Sequence, residues 1–290
     1  MLYNEKMKAS YIILVVLLVL NVFAWIAVSY LSESDVRVSF FDVGQGDAIF
    51  IETPQRHQIL IDGGPNSDIL KKLGGEMPFW DRTIDLVVLT HPDHDHISGL
   101  IEVLKRYEVK SILWTGVLRN AAEYKEWQKL IKEEKANIYI AKAGQKILGG
   151  RTFLERFDLF ILYPFESLEG NEASNTNNTS VVARLVFGKT SFLFTGDIYR
   201  SAERALLKEG VEIDSDVLKV AHHGSKTSSN SEFIASVSPD MAVISCGKDN
   251  PYGHPHEATL DALGETRILR TDLLGDIKLI TDGDVIRFLD

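Results

Sequence analysis

Seven of the eight histidines fall in three short stretches: His91, His94 and His96 in HPDHDH, His222 and His223 in HHGS, and His254 and His256 in GHPH. In HPDHDH, the apolar run IDLVVLT ends at Thr90, so His91, Asp93, Asp95 and His96 leave a strand end on a tight turn before a helix. Imidazoles and carboxylates that converge in this way suit a divalent cation of borderline or hard type, Zn²⁺ or Mn²⁺. Helix capping by Asp93 or Asp95 is the simpler reading, but it explains one carboxylate and not four donors in six residues. Asp197 closes a second apolar run, FLFTGD, where Gly196 permits a sharp turn and the carboxylate could bridge two cations. His222 and His223 follow a third run, DVLKVA; on a continuing strand they would face opposite sides, so one of the two is expected to reach the site. His254 and His256 sit in a Pro/Gly turn, either as site residues or as ordinary loop polar groups.

The elements that must position these residues alternate. Val36–Phe41, Ala48–Ile51 and Gln58–Ile61 read as a three-strand meander, followed by a buried strand over Ile84–Thr90 and a helix over Ile97–Arg106. Strands over Val109–Trp114 and Asn137–Ala141 flank a helix over Ala121–Lys135. After a strand at Phe157–Tyr163, the polar loop Glu166–Thr179 is placed to cap a site. Ser180–Phe187 and Ser191–Thr195 form a hairpin pattern, and the helix Ser201–Glu209 follows. Strands at Val217–Ala221, Met241–Ser245, Arg267–Arg270, Ile277–Ile280 and Val285–Leu289 alternate with helices near Ser231–Val237 and Glu257–Leu263. Two β-sheets packed between helical layers fit this order.

Residues 11–30, YIILVVLLVLNVFAWIAVSY, carry no charge, Gly or Pro. Twenty such residues match a hydrocarbon core of about 30 Å, so the expectation is one transmembrane anchor within residues 1–31, preceding a single domain over residues 36–290. Lys6 and Lys8 before the run place the N-terminus in the cytoplasm and the domain outside it, at the cell membrane. The alternative is a cleaved signal peptide with Ala27-Val28-Ser29 as its small-residue site, which makes the protein secreted. With 31 Lys+Arg against 41 Asp+Glu the net charge is −10, and the domain alone, without Glu5, Lys6 and Lys8, carries −11. That excludes a basic surface that wraps nucleic acid. A single cysteine, Cys246, excludes an intrachain disulfide and a thiolate zinc cluster.

Taken in order, FFDVGQGDAIFIETP, ILIDGG, LTHPDHDHISGL, NNTSVVARLVFGKTSFLFTGD, LKVAHHGS and NPYGHP resemble the metallo-β-lactamase-like domain at the C-terminal end of ComEC-type competence proteins. The likeness runs from about Val36 to the C-terminus. It implies a four-layered αβ/βα sandwich of the α/β class, with the site at one edge between the two sheets. It also implies that His91 takes the first position of the superfamily's HxHxDH motif, and that Asp93 stands where most members have a second His. Asp95 and His96 would serve a second metal, Asp197 would bridge both, and His223 would complete the ligands. Asn177, Asn178 and Ser180 occupy the region of a further first-site histidine, with Asn178 in a supporting role; Asp62 would orient ligands from behind. The cofactor expected is one or two divalent ions, with the oxygen-rich set favouring Mn²⁺ over Zn²⁺.

A divalent cation lowers the pKa of a coordinated water toward about 7. Asp95 would orient or deprotonate that water, and His222, His223 or His254 would protonate the leaving oxygen. The expected activity is a phosphodiesterase or nuclease acting on DNA outside the cytoplasm, with the lipid bilayer and a DNA-uptake channel as partners. Two other readings are hydrolysis of an amide or lactone, and a catalytically weak membrane-tethered accessory module.

Overall fold

The structure, a computed structural model, describes residues 2–31, 35–149 and 157–289. It forms two compact units, Met1–Ser34 and Asp35–Asp290.

The first unit is one helix, α1 (Leu2–Leu31), with exposed apolar side chains such as Leu18 and Trp25. No helix among the described residues is long and apolar enough to cross a membrane. That finding gives the transmembrane expectation for residues 11–30 no support, and the side chains of Ala27, Val28 and Ser29 lie outside the described residues.

The second unit begins with β1 (Val36–Phe40), β2 (Ile49–Glu52) and β3 (Gln58–Ile61), the expected antiparallel meander. Then follow α2 (Asp68–Glu76), the short β4 (Thr83–Ile84), β5 (Leu86–Leu89), α3 (His94–Leu104), β6 (Glu108–Val109), β7 (Ser111–Trp114), α4 (Ala122–Glu133) and β8 (Asn137–Ile140). Strands β3, β5, β7 and β8 pair in parallel, and the fully buried LVVL of β5 suits a strand covered on both faces.

The chain continues through β9 (Lys146–Gly149), β10 (Phe157–Tyr163), β11 (Val182–Phe187), β12 (Thr190–Phe194), α5 (Arg200–Glu209), β13 (Val217–Lys219), α6 (Ser231–Val237), β14 (Met241–Ile244), α7 (Glu257–Leu263), β15 (Arg267–Arg270) and α8 (Thr271–Leu274), with strands β9 to β15 forming the other sheet. The chain then returns through β16 (Ile277–Thr281) and β17 (Ile286–Leu289) to the first sheet. The two strand orders are β17-β16-β1-β2-β3-β5-β7-β8 and β15-β14-β13-β12-β11-β10-β9.

One apolar core lies between the sheets and joins residues of both, such as Phe40, Ile51, Phe192 and Val243. A second joins α2, α3 and α4 to the first sheet through Leu73, Leu100 and Trp127, and a third joins α5, α6 and α7 to the second through Leu206, Phe233 and Leu263. These layers are the expected αβ/βα sandwich. Two boundaries differ from expectation where it matters. Helix α3 starts at His94, so Asp95 and His96 stand in its first turn, and β13 stops at Lys219, leaving His222 and His223 on a turn.

Candidate metal centre

Three strand ends meet here, and backbone bonds tie their loops together. Asp47 N–H donates to Asp95 O (3.2 Å), Gly63 N–H to His96 O (2.9 Å) and His222 N–H to Gly196 O (3.1 Å). Gly46 has φ +139° with its α-carbon against α3, where a Cβ would stand 2.3 Å from Asp95 O, so the DVGQGD loop needs glycine to approach. His222 and His223 both adopt left-handed backbone angles (φ 52° and 56°), each costing about 1–2 kcal/mol. The turn overrides strand alternation and brings both rings to the centre: His223 Nε2 lies 3.3 Å and His222 Nε2 3.9 Å from Asp197 Oδ2.

Asp95, His96, Asp197 and His223 each present a donor atom, all within 4.8 Å of one another. His96 Nε2 is 3.4 Å from Asp197 Oδ2, and His223 Nε2 is 3.3 Å from Asp95 Oδ2. Both imidazoles are fixed from behind. His96 Nδ1 lies 2.8 Å from the Asp62 carboxylate and His223 Nδ1 2.9 Å from Ser245 O, so each Nδ1–H donates there and Nε2 is left for the centre. His96 Nε2, His223 Nε2 and Asp197 Oδ1 are buried without an aligned hydrogen-bond partner; their neighbours are close enough to interact by charge but are not aligned to bond. Orphaned buried polar atoms of this kind are costly. Two nitrogens and two carboxylates aimed at one point fit a divalent cation.

Asp62, expected to orient ligands from behind, touches one histidine of the cluster. Fully buried at φ 57°, it accepts from Thr90 N–H (2.8 Å), Thr90 Oγ1 (2.6 Å) and His96 Nδ1. Asp47 and Lys219 were not singled out in the sequence. Lys219 is fully buried, pairs with Asp47 Oδ2, donates to Gly196 O at 3.3 Å, and stands 3.8 Å from Asp197 Oδ1. A lysine inside a run such as DVLKVA carries no local signal of the face it occupies.

Charge balance sets the titration here. Burial works against every charged form, yet the carboxylates of Asp197, Asp95 and Asp62 hold His96 well above the ordinary imidazole range, and those of Asp197 and Asp47 do the same for His223. Conversely, against burial, His223 and His96 hold Asp197 well below the carboxylate range, and His96 and His223 lower Asp95. Burial resists ionisation of Asp47 too, but Lys219, His223 and His96 depress it.

The remaining predicted residues lie around this cluster. His91 is buried with its ring 4.1 Å from that of His96; Thr90 Oγ1 and Ser180 Oγ lie 3.0 and 3.3 Å from its Nδ1, and its Nε2 is unpartnered. Asp93 stands outside the four-residue cluster, paired with Arg119 and accepting from Thr176 Oγ1. Asn178 binds Tyr199 N–H (2.9 Å) and Ser201 Oγ (2.8 Å) near the start of α5, whereas Asn177 Nδ2 reaches His222 Nε2 at 3.3 Å. His254 packs its ring 5.7 Å from His222 and 6.3 Å from His223; burial and the charges of His223, His222 and His256 push its pKa down to about 4.

With this geometry in place, the profile of the Metallo-beta-lactamase superfamily matches residues 41–248. The chain belongs to that superfamily. This metallo-β-lactamase domain is similar to ComE operon protein 3 of Bacillus subtilis (strain 168), at 33% identity over 266 residues, covering 85% of this chain and 33% of that protein. It is similar to competence protein ComA of Neisseria gonorrhoeae at 32% over 255 residues, covering 85% of this chain and 32% of the other. The chain thus spans about a third of the length of these curated relatives. The metallo-β-lactamase fold protein YhfI of Bacillus subtilis shares the fold, with a TM-score of 0.56 at 15% identity, covering 81% of this chain and 96% of that one.

Proposed function

We propose that this metal-dependent hydrolase is a phosphodiesterase or nuclease acting on DNA, held at the membrane by residues 11–30 with its domain outside the cytoplasm and working beside a DNA-uptake channel. The observation that carries the hydrolytic reading is the convergence of Asp95, His96, Asp197 and His223 with their donors within 4.8 Å of one another. Likeness to a protein named for competence supports DNA as the polymer. A divalent cation at these four residues supplies Lewis acidity and an acidified water. His96, His223 and Asp197 would hold the ion, Mn²⁺ or Zn²⁺, and Asp95, whose side chain is 30% exposed, would complete the set from the solvent side and orient the attacking water. The leaving oxygen falls on the side of His222 and His254. Burial lowers the pKa of both, His254 to about 4, so at neutral pH each is an uncharged ring that offers a hydrogen bond rather than a stored proton.

The test is to load the purified chain with Mn²⁺ or Zn²⁺ and offer single-stranded DNA, a small phosphodiester and a β-lactam in parallel. Cleavage of the two phosphodiesters is expected; cleavage of the β-lactam alone would overturn the reading in favour of amide hydrolysis. For topology, a reporter fused after the last residue is expected to be active only outside the cytoplasm, and cytoplasmic activity would reverse the orientation.

A further inference from the structure

Beside the metal centre opens a cavity of about 800 Å³ whose wall includes Asp93, Arg119, Tyr124, Asn175, Asn177 and Tyr199. It adjoins the centre through residues that touch both. Asn177 Nδ2 lies 3.3 Å from His222 Nε2, the Tyr199 ring stacks on His222 at 5.2 Å, and Asp93 lies two positions before Asp95. Arg119 is the only Lys or Arg among the described residues of this wall. Its guanidinium is held by a single nitrogen, Nη1, which pairs with Asp93 Oδ1 and donates to Thr176 Oγ1 at 2.5 Å, while the Thr176 hydroxyl itself donates to Asp93. Nε and Nη2 make no hydrogen bond among the described residues, so one edge of a planar fork is anchored and the other is open. An anchored fork is pre-organised for a tetrahedral oxyanion, because the cost of fixing a long side chain has been met in advance.

We propose that Arg119 is the phosphate-binding residue of this site, and that Asp93 is its positioning partner. The open edge of the fork would take non-bridging oxygens of a phosphodiester running from the centre into the cavity, as a two-point contact. This rests on the phosphodiester reading above. It also gives Asp93 a role in substrate recognition, through Arg119, in place of a role in holding a cation. The exposed carboxylate of Glu172 in the same wall works against anions, so a single strand gains one guanidinium contact here and no basic track.

The test uses the full chain and a fluorescein-labelled oligothymidylate, followed by anisotropy in EDTA and again with Mn²⁺, over roughly 50–200 mM salt. Arg119→Ala is expected to weaken binding about tenfold or more, as loss of a charge-assisted contact does. It should also reduce the slope of log K against log salt by about 0.7, the value for one phosphate contact on a single strand. Arg119→Lys should keep the slope, since the charge remains, and recover only part of the affinity, since the fork is lost. Its melting temperature beside wild type guards against a folding defect. Arg119→Ala with wild-type affinity and slope would overturn the proposal, as would Arg119→Lys losing the slope, since that points to packing and not charge. The two readings fail separately. If the metal-loaded chain cuts no phosphodiester but binds oligothymidylate in an Arg119-dependent, salt-sensitive way, hydrolysis falls and the anion site stands. If it cuts DNA and Arg119→Ala changes neither KM nor slope, the anion site falls and hydrolysis stands.

Discussion

The two halves of HPDHDH behave differently. Asp95, partly exposed, and His96 join the buried Asp197 and His223 in one cluster whose imidazoles are oriented by Asp62 and Ser245. His91 and Asp93, a few residues earlier, lie outside that cluster: Asp93 pairs with Arg119, and His91, its Nε2 buried and unpartnered, has the hydroxyl of Ser180 beside its Nδ1. Residue type is the same on both sides. What separates them is what distant chain delivers, since Asp197 and His223 reach the second half, whereas Arg119 and Thr176, 26 and 83 residues from Asp93, reach the first. In this structure the Asp93 carboxylate faces a guanidinium, whereas those of Asp95 and Asp197 face imidazoles.

If the assembled half alone holds the ion, removing its shared carboxylate should have the largest effect. Asp197→Asn is expected to lower hydrolysis on the order of 10³-fold, roughly 4 kcal/mol in barrier, and to abolish stoichiometric metal measured by inductively coupled plasma mass spectrometry. Retention of a full equivalent of metal would break the comparison. Next comes Lys219→Met, which leaves Asp47 buried beside an apolar chain. Breaking a buried pair costs about 3–5 kcal/mol, read as urea unfolding in EDTA, and Lys219→Met combined with Asp47→Asn should regain much of it. A loss under about 1 kcal/mol would mean that water or rearrangement already satisfies Asp47.

Asp62→Asn removes the charge behind His96 without touching the cluster. A fall of about 10–100-fold in Mn²⁺ or Zn²⁺ affinity by calorimetry is expected. The same residues set the pH response. His96 and His223 are raised above 6.5 in the metal-free protein, so the stability they give is full below about 6.5 and is lost as pH rises through their folded values. Asp47, Asp95 and Asp197 are lowered below 3.8, so their contribution is present above that value and lost as pH falls through their folded values. A cation must displace the protons on the two imidazoles, so its affinity should climb as pH rises toward their folded values and level off above them, by up to about 1.4 kcal/mol per pH unit for each proton released. The gap in melting temperature between loaded and metal-free protein should widen in parallel, and a pH-independent gap would show that neither imidazole is protonated.

The order of strands and helices was legible because long apolar runs with the right period stop at Gly, Pro and Asp, as in IDLVVLT and FLFTGD. Asp95, His96, Asp197 and His223 were legible for a related reason, since each is a ligand type set at the end of such a run. Lys219 was not, because a strand's alternation says that a side chain faces one side of a sheet and never which neighbour waits there. Arg119 lies in the loop between β7 and α4 with no pattern around it, and nothing local in the sequence joins it to Asp93 or to Thr176 of the Glu166–Thr179 loop, which touches both. The short α2, with two glycines in DILKKLGGE, and the four-residue β9 fall below the length at which periodicity separates from chance.

The smallest expected effect is the sharpest test of the asymmetry. Asp93→Asn keeps the shape of the side chain and removes its charge. If Asp93 serves Arg119, metal stoichiometry is unchanged and cation affinity moves by less than about threefold, below 1 kcal/mol, because the carboxylate was already balanced by the guanidinium. Oligonucleotide affinity then responds more than metal affinity, since the freed Arg119 loses its anchor on one side and its order with it. A Mn²⁺ affinity falling tenfold or more, with oligonucleotide binding unmoved, would place Asp93 among the ligands and make the two halves of the motif equivalent.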